Sequence, residues 1–191
     1  MDNQSASVQL PLLTVDQLAE FQKERNIIIA DEISDDLALR VMILLRSFDM
    51  QSNKPINIYL NSPGGSVSAG LTIIDNMRLI KSPIHTICYG MAASMAAVIF
   101  ACGEKGHRYV LPHAEIMIHQ PWSGGGRTMK QTEAEIFYKH LTRTREITEA
   151  LLAENSNITI EEMHIACEQD NYLTAAEAVK MGLADEILNA D

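Results

Sequence analysis

Residues 84–101 read IHTICYGMAASMAAVIFA, and this passage decides the fold class. The first six residues are apolar and rich in β-branched side chains, the composition of a strand buried on both faces. The last seven, after Ser94, are apolar all round, which describes a buried helix. A buried strand running into a buried helix is part of a βαβ unit, and the alternation recurs along the chain. NIIIA (26–30), INIYL (56–60), RYVL (108–111) and EIMI (115–118) read as further short strands. Helix starts lie between them. The capping-box spacing, a Ser or Thr followed three residues later by Glu or Gln, occurs at Thr14/Gln17, Thr128/Gln131, Thr159/Glu162 and Thr174/Glu177. Leu13 and Leu18 are spaced for a hydrophobic staple around the first, and Ser34 before Asp35 and Asp36 fits a fifth start. The fold class expected is α/β, with a largely parallel sheet and right-handed crossovers.

Residues 128–155 read as one long helix, with Phe137, Leu141, Ile147 and Leu151 as its apolar stripe and Glu135 placed to pair with Lys139. That length exceeds the usual globular helix. Its stripe is expected to extend beyond the domain and to find cover on another subunit. Residues 1–12 read as a loose tail and 13–191 as a single domain.

The chain has 191 residues, 47% of them hydrophobic, and a formal net charge of −10. That is enough apolar material for one substantial core. The acidic balance argues against nucleic acid as a partner, because phosphate binding needs clustered Lys and Arg. Cys88, Cys102 and Cys167 form no C-x-x-C pair, so neither a disulfide framework nor a thiolate metal site is indicated. No metal ligand spacing such as H-E-x-x-H is present. No uncharged apolar run has transmembrane length and no signal pattern opens the chain, so no membrane partner and a cytoplasmic location are expected.

Four stretches carry chemistry. In GMAASMAA (90–97), Ser94 stands alone among small and apolar residues. It is either a helix N-cap or a nucleophile at the positive end of a buried helix. Gly90 is expected to end the preceding strand, and Ala92, Ala93 and Ala96 to leave room for a substrate backbone. The spacing is G-x-x-x-S, not the G-x-S-x-G elbow. NSPGGSV (61–67) follows a strand directly, and its paired glycines allow a sharp bend close to a ligand. In EIMIHQP (115–121), His119 closes a strand and precedes Trp122. It is the histidine best placed for a base, whereas His85, His107, His113, His140 and His164 read as structural. Asp170 lies just before the NYL segment (171–173), and it competes with Asp75, Asp185 and Glu168 for the carboxylate of a triad.

Taken together, NSPGG, GMAASMAA, MIHQP and D-N-Y-L-T-A-x-E-A-x-x-x-G-L-x-D, in this order, resemble the Clp protease proteolytic subunits (ClpP) from about residue 14 to residue 187. The resemblance implies a ClpP/crotonase-type βαβ spiral with a protruding handle helix over 128–155. It implies Ser94 as nucleophile, His119 as base, Asp170 as orienting carboxylate, and the N–H groups of Gly65 and Met95 as an oxyanion hole. An extended peptide would lie along Gly64, Val67, Ser68, Pro121, Trp122 and Gly124. Two seven-membered rings would stack into a tetradecamer around a closed chamber, without a cofactor. The chamber would be fed with unfolded polypeptide by an AAA+ unfoldase such as ClpX or ClpC, docking near Tyr59 and Leu79.

The chain departs from the family pattern at the N-terminal segment, at the start of the handle, and at Gln169, where the family usually has Arg. These departures suit a second reading, a weakly active or structural paralogue that completes mixed rings with another ClpP. A crotonase-type acyl-CoA enzyme shares the spiral, but those enzymes commonly use paired glutamates where Ser94 and His119 stand.

Overall fold

The computed structural model describes residues 14–122 and 130–189. The expected tail (1–12), Leu13, Gly124 and Thr128 lie outside the described residues. The chain order is α1 (Val15–Lys23), β1 (Asn26–Ile29), α2 (Asp35–Gln51), β2 (Ile56–Ser62), α3 (Val67–Leu79), β3 (Ile84–Ala93) and α4 (Met95–Ala101). It continues with β4 (Arg108–Val110), β5 (Glu115–Ile118), α5 (Gln131–Glu154), α6 (Ile160–Ala166), β6 (Asn171–Thr174), α7 (Ala175–Met181) and β7 (Glu186–Ile187).

Three expected capping boxes form as read, at Thr14, Thr159 and Thr174, and the Ser34 hydroxyl caps α2 by accepting from the Leu37 N–H. Each satisfies N–H groups that no helical carbonyl can reach. α5 begins later than the spacing suggested. Lys130 is its N-cap, and its backbone N–H donates to the Glu133 carboxylate. Glu135 accepts from Gln131 Nε2 rather than pairing with Lys139.

The sheet runs β1-β2-β3-β4-β7, all parallel, and β3 is long enough to serve two neighbours. Its first half, Thr86–Cys88, pairs with β4, while Met91–Ala93 pairs with β5. β6 then joins β5 antiparallel. Gly90 does not end β3 as expected. Between Leu60↔Cys88 and Ser62↔Ala92 the β2–β3 register shifts, β3 contributing three intervening residues against one. The Asn61 side chain fills that bulge and accepts from the Met91 N–H. A Cβ on Gly90 would stand 2.4 Å from Asn61 Oδ1, so the glycine leaves room for the Asn61 side chain in the bulge.

α4 is buried at every position and packs against β3, as its composition predicts. The core joins Ile27, Ile58, Leu60, Ile73 and Phe100 into one cluster with it. Ala92, Ala93 and Ala96 are buried in or against this core at 0–2% exposure, so they do not border a substrate. Their small size instead lets strand and helix approach closely. α5 is buried only toward its C-terminal end, at Thr148, Glu149, Leu151 and Leu152, while Ile136 and Tyr138 are exposed. Among the described residues no helix is long and apolar enough to cross a membrane.

Candidate active site

Ser94 connects β3 to α4 with φ 55° and ψ −123°, a left-handed conformation that costs a non-glycine residue about 1–3 kcal/mol. It occupies the N-cap position, but its side chain makes no capping hydrogen bond. The hydroxyl points elsewhere, with Oγ 2.8 Å from His119 Nε2. The capping role open to this serine in the sequence is therefore not the one its side chain takes.

His119 follows the last residue of β5, and its position is set by the strand pairing. In the β5–β6 ladder Met117 opposes Tyr172 and Ile118 opposes Asn171. One step further, His119 faces Asp170. The His119 Nδ1 to Asp170 Oδ1 distance is 3.0 Å. Of the carboxylates left open by spacing, this register brings Asp170 to His119. Asp185 is engaged with Arg108, Asp75 lies exposed on α3, and Glu168 meets the loop after His119 only through its backbone carbonyl. His119 is 12% exposed and Asp170 61%.

The Gly64–Gly65 turn closes the other side. Gly65 lies beside Ile33 in an isolated parallel bridge, which uses the Gly64 carbonyl and the Ser66 N–H but not the Gly65 N–H. The Met95 N–H belongs to the first residue of α4 and has no helical carbonyl to bond. A Cβ on Gly64 would come within 3.0 Å of Met95 N, so this turn lies directly against the helix start. The glycine turn and the first N–H of α4 thus lie side by side next to Ser94.

A cleft of about 480 Å³ runs past these groups. It brings together Ser94, His119, Asp170, Gly64 and Gly65, with Val67, Pro121 and Trp122 along it. Ser68 stands at the exposed start of α3, where its hydroxyl pairs with that of Ser66 at 3.0 Å. Glu32 and Met117 also line the cleft and were not singled out in the sequence. Glu32 follows β1 at the carboxyl edge where open α/β sheets place ligands. Met117 precedes His119 by two residues, the period that puts both on one face of a strand. Those were the available signals.

A family model for Clp protease matches residues 12–191. The chain belongs to the Clp protease family. As a member of that family it is a protease component, and the α/β spiral expected from the sequence is the fold seen here. The chain is 46% identical over 167 residues to the ATP-dependent Clp protease proteolytic subunit of Streptococcus salivarius, an alignment covering 87% of this chain and 85% of that protein. The same figures hold for the proteins of that name from Streptococcus thermophilus and Streptococcus pneumoniae strain Hungary19A-6.

The other residues implied by the family resemblance are separate from the cleft. Tyr59 is half-buried on β2 with its ring centroid 5.3 Å from that of Phe21 on α1. Leu79 is the exposed last residue of α3. Three of the remaining histidines, His85, His107 and His164, have partners of their own. His85 stacks on His107 at 4.2 Å, and burial followed by the neighbouring imidazole pushes its pKa down. His164 Nδ1 lies 2.8 Å from the buried Glu149 carboxylate.

Proposed function

We propose that this chain is a serine endopeptidase subunit that cleaves unfolded polypeptides through Ser94, His119 and Asp170. The observation that carries the reading is the continuous contact from Ser94 Oγ through the two ring nitrogens of His119 to Asp170 Oδ1, at 2.8 and 3.0 Å. With the proton on Nδ1 donated to Asp170, Nε2 accepts the Ser94 proton as Oγ attacks a substrate carbonyl. The negative charge that develops on the carbonyl oxygen meets the N–H groups of Gly65 and Met95. His119 then returns the proton to the leaving amine, and water releases the acyl group by the reverse sequence. Val67, Ser68, Pro121, Trp122, Gly64 and Gly124 would border the extended substrate, which can add as a strand beside the glycine turn.

The assembly belongs to the same proposal: a single domain over 13–191 behind a tail at 1–12, in stacked seven-membered rings, in the cytoplasm. An AAA+ unfoldase such as ClpX or ClpC would dock near Tyr59 and Leu79. The relatives named above are described as subunits of an ATP-dependent protease, which supports dependence on an ATPase partner. Exposed Ile136 and Tyr138 on α5 support its burial against another subunit. So does Asp170, whose field on His119 is screened by water in the lone chain and would strengthen once covered. Gln169, also exposed beside Asp170, favours a second reading, in which the ring contact is completed by a different ClpP subunit.

A fluorophosphonate probe followed by peptide mapping tests the chemistry, because only an activated serine reacts quickly. Labelling confined to Ser94, and its loss with peptide cleavage in Ser94→Ala at unchanged mass, is the expected result. Cleavage persisting in Ser94→Ala would overturn it. Native mass measurement, alone and with a candidate second subunit, separates homomeric from mixed rings.

A further inference from the structure

Asp170 stands on the short turn that joins α6 to β6, which is anchored in the core at its start by Cys167. Residues 168–170 are exposed, and α6 itself has only seven residues, of which Met163 alone is buried. Carbonyls at the end of a helix lack an intrahelical donor and need one from elsewhere. Here the donor comes from the residue after the proposed base. The Gln120 backbone N–H donates to the Cys167 carbonyl at 2.6 Å, and Gln120 Nε2 donates to the Glu168 carbonyl at 2.8 Å. Apart from these, among the described residues, the Glu168 N–H donates to the Ile165 carbonyl at 3.2 Å and Asn171 Nδ2 donates to the Ala166 carbonyl at 3.2 Å.

Gln120 therefore leaves the β5–β6 register. A continued ladder would set it opposite Gln169, one step past the His119–Asp170 pair. Instead it crosses to the helix end and grips two successive carbonyls. The two clamped carbonyls lie two and three residues before Asp170. His119 is the immediate neighbour of Gln120 in the chain. The clamp thus fixes the separation of the two groups from both sides of the pair.

We propose that Gln120 is a positioning residue for the proposed triad. Its side-chain amide holds the 167–170 turn so that the Asp170 carboxylate meets His119 Nδ1. This rests on the peptidase reading above and adds to it a residue that acts through Asp170 rather than on the reacting atoms. The Gln120 side chain is half-buried, so its removal does not open the core.

The test uses the full-length protein in its native assembly. Gln120→Met keeps the side-chain length and removes the donor. Gln120→Asn keeps the amide but shortens its reach. Either is expected to lower kcat by between about ten- and a hundredfold, the cost of a displaced catalytic group. KM should stay within about twofold, because the role proposed for Gln120 is to place Asp170 and not to hold substrate. The deciding measurement is a double-mutant cycle. In an Asp170→Asn background, Gln120→Met should cost less than about twofold, because its effect passes through Asp170. A purely structural role would lower activity equally in both backgrounds, alongside a lower melting temperature, and would overturn the proposal. Wild-type kcat in both Gln120 variants would do so too. If wild-type protein is not labelled at Ser94, the peptidase reading fails and this inference falls with it. If it is labelled and the cycle shows no coupling, only the role of Gln120 fails.

Discussion

A Cβ built on Gly64 would stand 2.7 Å from the Cβ of Ser94 and 2.6 Å from the Ala93 carbonyl oxygen. The glycine turn after β2 and the strained serine after β3 are therefore one fitted unit. Gly64 also has φ +91°, where a side chain is strained whatever the space. Neither obstacle is a flexible side-chain tip that could swing away.

Gly64→Ala should accordingly damage the site before it damages the core. We expect a stability loss of about 1–3 kcal/mol from the backbone conformation alone. Fluorophosphonate labelling of Ser94 should fall by more than about tenfold as the oxyanion donors shift. Urea unfolding and labelling rates measured on the same sample check both. A variant that labels at the wild-type rate would contradict the fit.

Register, rather than acidity or nearness in sequence, brings Asp170 to His119. Asp170→Asn should lower kcat by about 10⁴-fold, because the histidine then holds the wrong tautomer. Glu168→Gln should stay within about twofold, since only the backbone of Glu168 is engaged. His119→Ala combined with Asp170→Asn should cost little more than His119→Ala alone, as residues of a triad act as a unit. Steady-state peptidase assays on these four variants decide this, and a loss confined to Glu168→Gln would reverse the assignment.

The thiols should be silent at neutral pH. Burial pushes Cys88 and Cys102 up to about 11 and Cys167 up to about 12. A thiol favoured in the folded state stabilises it fully below the ordinary thiol value, and that contribution is lost as pH rises through the folded value. Stability should therefore decline from about pH 9 upward. Native protein should resist a thiol probe at about pH 8 and react fully once unfolded. Rapid labelling of Cys88 or Cys167 in the native state would contradict their burial.

Arg108 and Asp185 join β4 to the chain before β7. Arg108 Nη2 lies 2.6 Å from Asp185 Oδ1, and the Arg108 backbone N–H and Nε both donate to Oδ2. Burial alone would raise the carboxyl pKa, but the Arg108 hydrogen bonds and charge outweigh it and hold the group below its usual range. Asp185→Asn leaves a cation at 1% exposure facing a neutral amide, at a cost of about 3–5 kcal/mol. For wild type, the stability from the lowered carboxyl is present above about pH 4 and lost as pH falls through the folded value. Urea midpoints across that range should fall less steeply in Asp185→Asn than in wild type.

The sequence by itself determined the α/β class, the capped helix starts and the short buried strands, because these rest on local periodicity and cap chemistry. It also singled out Ser94, His119 and the glycine pair, since each follows a strand at the edge where parallel sheets place ligands. Spacing alone could not choose Asp170 over Asp75, Asp185 or Glu168, and only the family resemblance pointed to it, because its meeting with His119 depends on an antiparallel register between segments about fifty residues apart. Nor could it tell that the Ser94 hydroxyl would forgo its cap, that β3 would pass through Gly90, or that the neighbouring alanines would be buried. Each of those was decided by what another strand or helix presses against the residue: the His119 ring, the Asn61 side chain, and the packing of α4 on β3. Local spacing encodes which atoms are available for chemistry, whereas only the packed tertiary structure fixes the distances between them.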